Sequence, residues 1–365
     1  NTEGDASMKA ILGGKGANLA EMANAGLPVP AGFTISTEAC AYYSSHNNKY
    51  PEGMLEQLKT QLKKLETKMK KKLGDPTNPL LVSVRSGAAI SMPGMMDTVL
   101  NLGLNDKSVL GFIASTGNAR TGWDCYRRFI DMFGDVVMGP TTGLSHHDFE
   151  VAMTELKKKY GAKEDTDLTA DQLKELCEIY KKVYVQKVKK PFPQDPFEQL
   201  LASVNAVFGS WNSERAVKYR QINKVTGLLG TAVNVCSMVY GNMGDESGTG
   251  VAFTRDGATG DEAPMGEYLI NAQGEDVVAG IRTPKHIDDM PKEKSPVWKK
   301  AHAQLMAIMK KLEKHYKYPQ DVEFTVEQGT LWMLQTRNAK RTGLAGVRWA
   351  VEMATGKDFY TGKAQ

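Results

Sequence analysis

Arg85 is the residue whose surroundings are best suited to phosphate chemistry. It ends the apolar run 81–84 and is followed at once by Ser86 and Gly87. Such a run predicts a strand, and a guanidinium beside hydroxyls and flexible backbone N–H groups can bind phosphate oxygens. The competing interpretation is an ordinary strand-to-turn junction with a surface arginine. Taken alone, the segment leaves both interpretations open.

Lys15 stands in a second segment suited to an anion, residues 13–19, which read GGKGANL. We expect a glycine loop that opens a short helix, where unpaired N–H groups can face an anion. Gly16 follows Lys15 where a Walker A loop needs Ser or Thr, and Leu19 replaces the third glycine of a dinucleotide fingerprint. A solvated lysine is the alternative. Because a cation near a helix start is mildly unfavourable, a ligand role is favoured.

A second glycine-rich segment, 241–250, separates two runs that alternate like strands, 232–240 and 251–255. We expect a loop with several hydroxyls that folds over a triphosphate, and the alternative is a plain surface loop. Farther on, 267–271 and 276–280 predict another strand pair.

The segment 321–337 predicts a β-hairpin with one polar face. A two-residue turn would send Gln335 to the apolar side, whereas a three-residue turn over 327–329, with Gly329 left-handed, would pair Asp321 with Gln335. We expect the second register because it separates polar from apolar groups. The polar face then carries Asp321, Glu323, Gln335 and Arg337, and the other face carries Val322, Phe324, Trp332 and Leu334.

This polar face has the composition of a metal–phosphate site. Carboxylate and amide oxygens suit Mg²⁺ or Mn²⁺ that bridges phosphates, and an arginine beside them suits the phosphates themselves. The alternative is a salt-bridged amphipathic hairpin without a ligand.

Composition limits the other possibilities. At 365 residues the chain should hold two or three domains, and 41% hydrophobic with 24% charged residues is ordinary for a globular protein. A net charge of +4 fits an anionic small molecule but is too weak to indicate nucleic acid. We expect no membrane span and no secretory leader. The four dispersed cysteines predict free thiols and no zinc site: Cys40, Cys125, Cys177 and Cys236.

The remaining elements must position these groups. Apolar residues spaced by three and four over 55–73 predict an amphipathic helix. The lysine-rich stretch 106–190 predicts a helical insertion, in which Ser145 and Asp148 form a capping box at a helix start.

Four segments together resemble the pyruvate, phosphate dikinase family over nearly the whole chain. They are the glycine segment at Lys15, the Ser-Val-Arg-Ser-Gly segment at Arg85, the run SMPGMMDT at 91–98 and the run LQTR at 334–337. Phosphoenolpyruvate synthases share the Val-Arg-Ser core but lack the 91–98 stretch, so the dikinase family is the better match.

The resemblance implies an α+β fold, an ATP-grasp-type nucleotide-binding domain of two α/β lobes with a helical insertion. We expect the first lobe in 1–105 and 191–236, the insertion in 106–190, the second lobe in 237–342, and the start of a linker in 343–365. In this family ATP, pyruvate and phosphate are converted reversibly into AMP, phosphoenolpyruvate and diphosphate. A histidine on a separate, mobile domain carries the β-phosphoryl group to a C-terminal barrel that binds pyruvate and phosphoenolpyruvate.

The family's site residues carry over to this chain as follows. Lys15, Arg85 and Arg337 would hold the triphosphate and act in catalysis, and Asp321, Glu323 and Gln335 would surround Mg²⁺ or Mn²⁺. The expected ATP contacts are Lys15, Arg85, Ser91, Met92, Gly94, Asp97, Thr98, Gly244, Ser247, Gly248, Thr249, Gly250, Glu267 and Arg337.

Two departures from the family pattern stand out. Cys236 replaces a glutamine expected near the adenine, and no Thr-x-His phosphoacceptor motif occurs in the chain. We therefore expect the nucleotide-binding part of a longer, homodimeric enzyme, inactive alone, whose partners are ATP and the other two domains. A synthase-like dikinase and a truncated, non-catalytic ATP sensor stay open. The family's compartments imply cytoplasm, plastid or glycosome.

Overall fold

The computed structural model describes residues 2–92, 94–280 and 282–356. Its internal contacts divide the chain into two compact units. The first comprises Asn1–Ala20 and Ala31–Met238, and the second comprises Glu21–Pro30 and Val239–Gln365. Both units mix helices with antiparallel sheets, so the α+β class expected from the sequence is confirmed.

The first unit is built on a four-stranded antiparallel sheet in the order β1-β6-β4-β5. Its central strands are buried, and Val82 and Val84, which share one face of β4, have 0% exposure. A short parallel pair, β2 and β3, lies apart from this sheet. The strands are β1 (Gly32–Ile35), β2 (Lys72–Leu73), β3 (Pro79–Leu80), β4 (Val82–Gly87), β5 (Thr98–Leu102) and β6 (Ala232–Ser237).

Ten helices begin within the described part of the first unit. Helix α1 passes into the second unit after Ala20. A π-helical turn, Phe133–Met138, extends α5. The helices are α1 (Lys9–Asn24), α2 (Thr37–Ser45), α3 (Met54–Met69), α4 (Ser108–Thr116), α5 (Ala119–Met132), α6 (Gly139–Thr142), α7 (His146–Tyr160), α8 (Ala170–Val188), α9 (Pro196–Ser210) and α10 (Glu214–Ile222).

The stretch expected as a helical insertion folds around an aromatic cluster. Phe192 receives the edges of rings from α5 and α8, with centroid distances of 5.4 Å to Tyr184 and 5.5 Å to Phe129. The capping box predicted at Ser145 and Asp148 is present and begins α7. This stretch belongs to the first unit.

The second unit is built on a five-stranded antiparallel sheet in the order β11-β10-β7-β8-β9. Helix α12 packs on the sheet and buries Trp298 completely. The elements are β7 (Gly248–Phe253), β8 (Met265–Ile270), α11 (Gly274–Ala279), β9 (Lys285–His286), α12 (Pro296–Tyr316), β10 (Gln320–Glu327), β11 (Thr330–Asn338) and α13 (Gly343–Thr355).

The helix expected as the start of a linker, α13, belongs to the core of the second unit. Ala345 and Trp349 are fully buried in a cluster with Phe253 and Tyr318. The last part of the expected linker, 357–365, lies outside the described residues. The four-segment division proposed from the sequence stays a prediction, and the structure adds Glu21–Pro30 to the second unit.

Two expectations about the second unit are wrong. The segment 276–280 was expected as a strand, but α11 forms there because Asp276 accepts a hydrogen bond from the Gln273 N–H at 2.9 Å and caps the helix start. The loop expected at 241–250 instead spans 238–247, because β6 ends at Ser237 and β7 already begins at Gly248. None of the helices in the described ranges has the length and apolar character needed to cross a bilayer.

Candidate functional site

The glycine segment before Lys15 is held against the end of β4. Gly13 has φ 66° and ψ 169°, which interrupts α1 and lets a new helical run start behind it. The Gly14 N–H donates to the Ala88 carbonyl at 2.8 Å. A Cβ on Gly13 would lie 1.7 Å from the Gly87 oxygen, so only glycine allows this approach. The two segments that the sequence singled out, at Lys15 and at Arg85, therefore meet.

Gly16 extends this contact to β1 and β6. A Cβ on Gly16 would lie 2.8 Å from Asn234 Oδ1 and 2.9 Å from Thr34 Oγ1. The Thr34 hydroxyl donates to Asn234 Oδ1 at 2.9 Å, and Asn234 Nδ2 donates to the Arg85 carbonyl at 3.4 Å. One buried asparagine thus links the helix start to the strand that carries Arg85.

The pKa of the Cys236 thiol is affected by the positive charges of this region. Burial raises the pKa of its thiol, and the charges of Arg85 and Lys15 act against burial and lower it. Both cations therefore lie close enough to act on the same buried group of β6. A cluster of positive charge beside a helix start is suited to an anion.

The segment 91–98 follows β4 and leads into β5. Ser91 is exposed, Met92 is buried, and Gly94 has φ 70° with open space around its Cβ position. The Met95 N–H donates to the Met92 carbonyl at 3.2 Å, which makes a turn. Pro93 lies outside the described residues. Thr98 pairs with Arg85 across the two strands.

Asp97 forms an ion pair with a residue that the sequence analysis did not identify. Its carboxylate pairs with Arg215 of α10, and its N–H donates to Ser210 Oγ at 3.5 Å. Burial raises the pKa of Asp97, and Arg215 lowers it. No sequence motif connects positions so far apart, so only the fold could reveal this pair.

The glycine-rich segment of the second unit uses several of its expected phosphate contacts for its own structure. The Gly244 N–H donates to Asn271 Oδ1 at 3.2 Å, and Ser247 Oγ accepts the Gln328 N–H at 3.0 Å. Thr249 Oγ1 donates to the Phe324 carbonyl at 3.0 Å inside the sheet.

Three of these expected contacts are strand residues instead of loop residues. Gly248, Thr249 and Gly250 are buried in β7 between β8 and β10. A Cβ on Gly250 would lie 2.5 Å from the Glu267 carbonyl, so close strand packing explains that glycine. Glu267 itself is exposed on β8, opposite Val251 and His286.

The hairpin of β10 and β11 has a different turn from the expected one. Glu327 pairs with Thr330, so the turn has two residues, Gln328 and Gly329, with φ of 44° and 81°. Positive φ at both positions is typical of a type I′ turn, which matches the twist of the strands. The three-residue turn and the pairing of Asp321 with Gln335 are therefore wrong.

A bulge in β11 restores the polar face. The register shifts after Glu323, so that Phe324 pairs with Met333 while Glu323 pairs with Gln335 and Asp321 with Arg337. Because paired residues share a face, Asp321, Glu323, Gln335 and Arg337 lie together, as the sequence predicted.

The apolar face differs from the expected one as a consequence of the bulge. Leu331 and Met333 are buried at 0% exposure beside Val322 and Phe324, in place of the expected Trp332 and Leu334. Trp332 pairs with Thr325 and so lies on the polar face.

The polar face has the groups that an oxygen-liganded cation needs. Gln335 is 5% exposed, and its Oε1 atom is buried with no hydrogen-bond partner among the described residues. Burial raises the pKa of Asp321, and Arg337, whose Nε donates to an Asp321 oxygen at 2.6 Å, lowers it.

A buried acceptor without a donor costs free energy unless a ligand satisfies it. Within the described residues no group of three or more His, Cys, Asp or Glu is placed to hold a metal. The donor set is instead two carboxylates and one amide, which fits Mg²⁺ or Mn²⁺ that keeps waters or phosphate oxygens as its other ligands.

Comparison with known proteins matches the sequence of this chain to a family. A family model described as the AMP/ATP-binding domain of pyruvate phosphate dikinase matches residues 9–51, 49–297 and 285–355. The chain is 55% identical over 352 residues to pyruvate, phosphate dikinase 1, chloroplastic, of Arabidopsis thaliana, which covers 96% of this chain and 36% of that protein.

Two further relatives have the same level of identity. Identity is 55% over 352 residues to pyruvate, phosphate dikinase 2 of Zea mays, covering 96% of this chain and 39% of the relative. It is 55% over 345 residues to the Giardia intestinalis pyruvate, phosphate dikinase, covering 94% and 38%. The chain thus spans a little over a third of the length of these relatives. It belongs to the pyruvate, phosphate dikinase family, within the AMP/ATP-binding domain.

Proposed function

We propose that this chain binds ATP together with Mg²⁺ or Mn²⁺ and presents the β-phosphoryl group to a histidine outside the residues 1–365. The observation that carries the proposal is the buried, unpartnered Oε1 of Gln335 on the face that also bears Asp321 and Glu323. An amide oxygen that is shielded from water and has no hydrogen-bond donor is stabilised when a ligand supplies a cation or a donor.

The residues of the first unit serve the phosphates in this proposal. Lys15 and Arg85 bring two positive charges close to Cys236, beside N–H groups of the α1 segment. Charge-assisted hydrogen bonds from a guanidinium and an ammonium neutralise a polyanion and orient it. The segment 91–98 supplies the other proposed ATP contacts of the first unit. They are Ser91 and Gly94, which are accessible, and Met92, Asp97 and Thr98.

The residues of the second unit serve the metal and the transferring phosphoryl group. Asp321, Glu323 and Gln335 would hold the cation, whose chemistry when bound is to neutralise the phosphate oxygens. Arg337 is already held by Asp321, so its guanidinium is oriented before ATP binds. Gly244 and Glu267 are proposed contacts, while the side chains of Ser247 and Thr249 support the backbone at Gly248 and Gly250.

The wider proposal follows the printed names of the relatives, which are dikinases for pyruvate and phosphate. The full reaction would need a phosphohistidine domain and a domain for pyruvate and phosphoenolpyruvate, in a homodimeric enzyme. The Arabidopsis thaliana relative is named chloroplastic, which supports the plastid among the expected compartments.

Calorimetric titration of this chain with Mg-ATP tests the proposal. Arg85→Ala should weaken binding by tenfold or more, since a hydrogen bond to a charged group contributes about 1.5–3 kcal/mol. Lys218→Ala, on exposed α10, is the matched control and should bind like the unmodified chain. Equal affinity of the Arg85 variant and the unmodified chain would overturn the phosphate assignment.

The metal assignment has its own measurement. Mn²⁺ titrated in the presence of ATP should bind the unmodified chain and bind Gln335→Leu at least tenfold more weakly. Undiminished Mn²⁺ binding in Gln335→Leu would exclude the amide as a ligand. In the full-length enzyme, Arg337→Ala should lower kcat by roughly 10³-fold, because it removes a charge that stabilises the transferring phosphoryl group.

A further inference from the structure

Trp332 lies on the polar face of the hairpin, although its type and the alternation of the sequence predicted the core. It pairs with Thr325, the next residue on the same face of β10 after Glu323. Glu323 and Thr325 are two residues apart on β10, which is about 7 Å along a strand. The bulge after Glu323 is what turns Trp332 to this side.

The indole N–H of Trp332 has no acceptor. Its Nε1 atom is buried, and no atom of the described residues accepts a hydrogen bond from it. Two other tryptophans show the usual arrangement, since Trp298 Nε1 donates to the Asp245 carbonyl at 2.9 Å and Trp349 Nε1 to the Gly260 carbonyl at 3.2 Å. Buried indole N–H groups normally find such a partner, so the exception requires an explanation.

The same face holds a complementary unpaired atom. Gln335 Oε1 is a buried acceptor without a donor, one step along the strand from Trp332. The hydroxyl of Thr325, the residue opposite Trp332 on β10, already contacts Thr249 Oγ1 at 3.2 Å. A ligand that combines a cation with anionic oxygens would satisfy both atoms at once, the cation at Gln335 and an oxygen at Trp332.

We propose that Trp332 donates its indole N–H to an oxygen of the bound metal–phosphate group, and so contributes to nucleotide binding. This inference rests on the proposed function. The oxygen acceptor belongs to the phosphate chain of the nucleotide or to a water on the metal, and these share the same chemistry toward an N–H donor.

The first test compares two Trp→Phe variants. Trp332→Phe removes the donor and keeps an aromatic ring, and we expect Mg-ATP to bind about five- to tenfold more weakly in calorimetry. Trp349→Phe removes an N–H that Gly260 already accepts, so its affinity should equal that of the unmodified chain. Unchanged affinity in Trp332→Phe, with Arg85→Ala still impaired, overturns the role of Trp332 and leaves the proposed function standing.

A spectroscopic readout follows the indole N–H group itself. In ¹H–¹⁵N spectra of the unmodified chain, Mg-ATP should shift one indole N–H resonance downfield, and the Trp332→Phe spectrum identifies that resonance. The Trp349 indole resonance should move little. An unmoved Trp332 resonance at saturating Mg-ATP overturns the inference, whereas absence of any Mg-ATP binding would overturn the proposed function itself.

The source of the oxygen is separated by titrating the two ligands alone. If a phosphate oxygen accepts the bond, ATP with a chelator shifts the Trp332 resonance. The affinity for Mn²⁺ without ATP is then the same in Trp332→Phe as in the unmodified chain. If a metal-bound water accepts it, Mn²⁺ binding weakens in Trp332→Phe and metal-free ATP leaves the resonance in place. Failure of both arms contradicts the proposal.

Discussion

Gly13 and Gly87 touch so closely that a Cβ on Gly13 would lie 1.7 Å from the Gly87 carbonyl oxygen. The Gly14 N–H, which donates to the Ala88 carbonyl at 2.8 Å, holds the same two segments together. This contact brings the start of the helix behind Lys15 to the end of the strand that carries Arg85. This contact joins two weak sequence motifs into the region for which we propose phosphate binding.

Gly13→Ala should therefore destabilise the first unit by more than about 2 kcal/mol and weaken Mg-ATP binding, because the new methyl group meets backbone that cannot move aside. Gly117→Ala is the control, since Gly117 has nearly the same φ, 65°, but open space around it. It should lose about 1 kcal/mol and retain nucleotide affinity. Gly13 also has ψ 169°, a combination that is almost restricted to glycine, whereas Gly117 has ψ 13°. Urea unfolding and calorimetry measure the two effects, and equal losses in both variants would contradict the prediction.

The pair of Arg215 and Asp97 should position the 91–98 segment beside β4. Arg215 is 53% exposed, so Arg215→Met should cost less than about 1 kcal/mol of stability while it measurably lowers the affinity for Mg-ATP. Lys218→Met removes an exposed pair on the same helix and should change neither quantity. In a double-mutant cycle, Asp97→Asn should add little to Arg215→Met. Additive effects on affinity would show that the two residues act separately.

The hairpin of β10 and β11 shows which features could be predicted from the sequence. Segregation of polar from apolar residues correctly brings Asp321, Glu323, Gln335 and Arg337 to one face, because burial of Val322 and Phe324 decides it. The structure reaches this arrangement with a two-residue turn and a bulge, whereas the sequence predicted a three-residue turn. Both solutions shift the register by one residue, and pattern alone does not distinguish them. Trp332 was misplaced for the same reason.

The short elements of the second unit were harder to predict for a local reason. The sequence predicted a strand at 276–280, but the capping bond between Gln273 and Asp276 favours a helical turn. Pairs such as Arg215 with Asp97 depend on the tertiary fold and leave no local signal. The fold class, by contrast, was predicted from the resemblance to the dikinase family, and the structure confirms it.

Arg255 should be essential for the stability of the second unit. It is fully buried, and its guanidinium donates to Glu313 and Glu352, each at 2.5 Å. Arg255→Met removes the cation that binds two buried carboxylates at 2.5 Å and should cost about 3–5 kcal/mol. The triple variant Arg255→Met, Glu313→Leu, Glu352→Leu should recover most of this loss in urea unfolding. A triple variant as unstable as the single one would show that packing, not charge, is decisive.

His146 should make the stability of the helical stretch depend on pH. Its Nδ1 lies 3.0 Å from both oxygens of Asp131, and this hydrogen bond raises the pKa of His146 from 6.5 to about 9. The folded state therefore binds the proton more tightly than the unfolded state. The resulting stabilisation is fully present below pH 6.5 and is lost as the pH rises through 9.

The measurement is the difference in unfolding free energy between the unmodified chain and His146→Gln across this pH range. The difference should be largest below pH 6.5 and should vanish above pH 9. His147→Gln is the control, because His147 is 79% exposed and reaches Glu150 only at 3.7 Å. Its difference should stay near zero at every pH. A His146→Gln difference that does not change with pH would mean that the imidazole stabilises α7 by packing, without the proton.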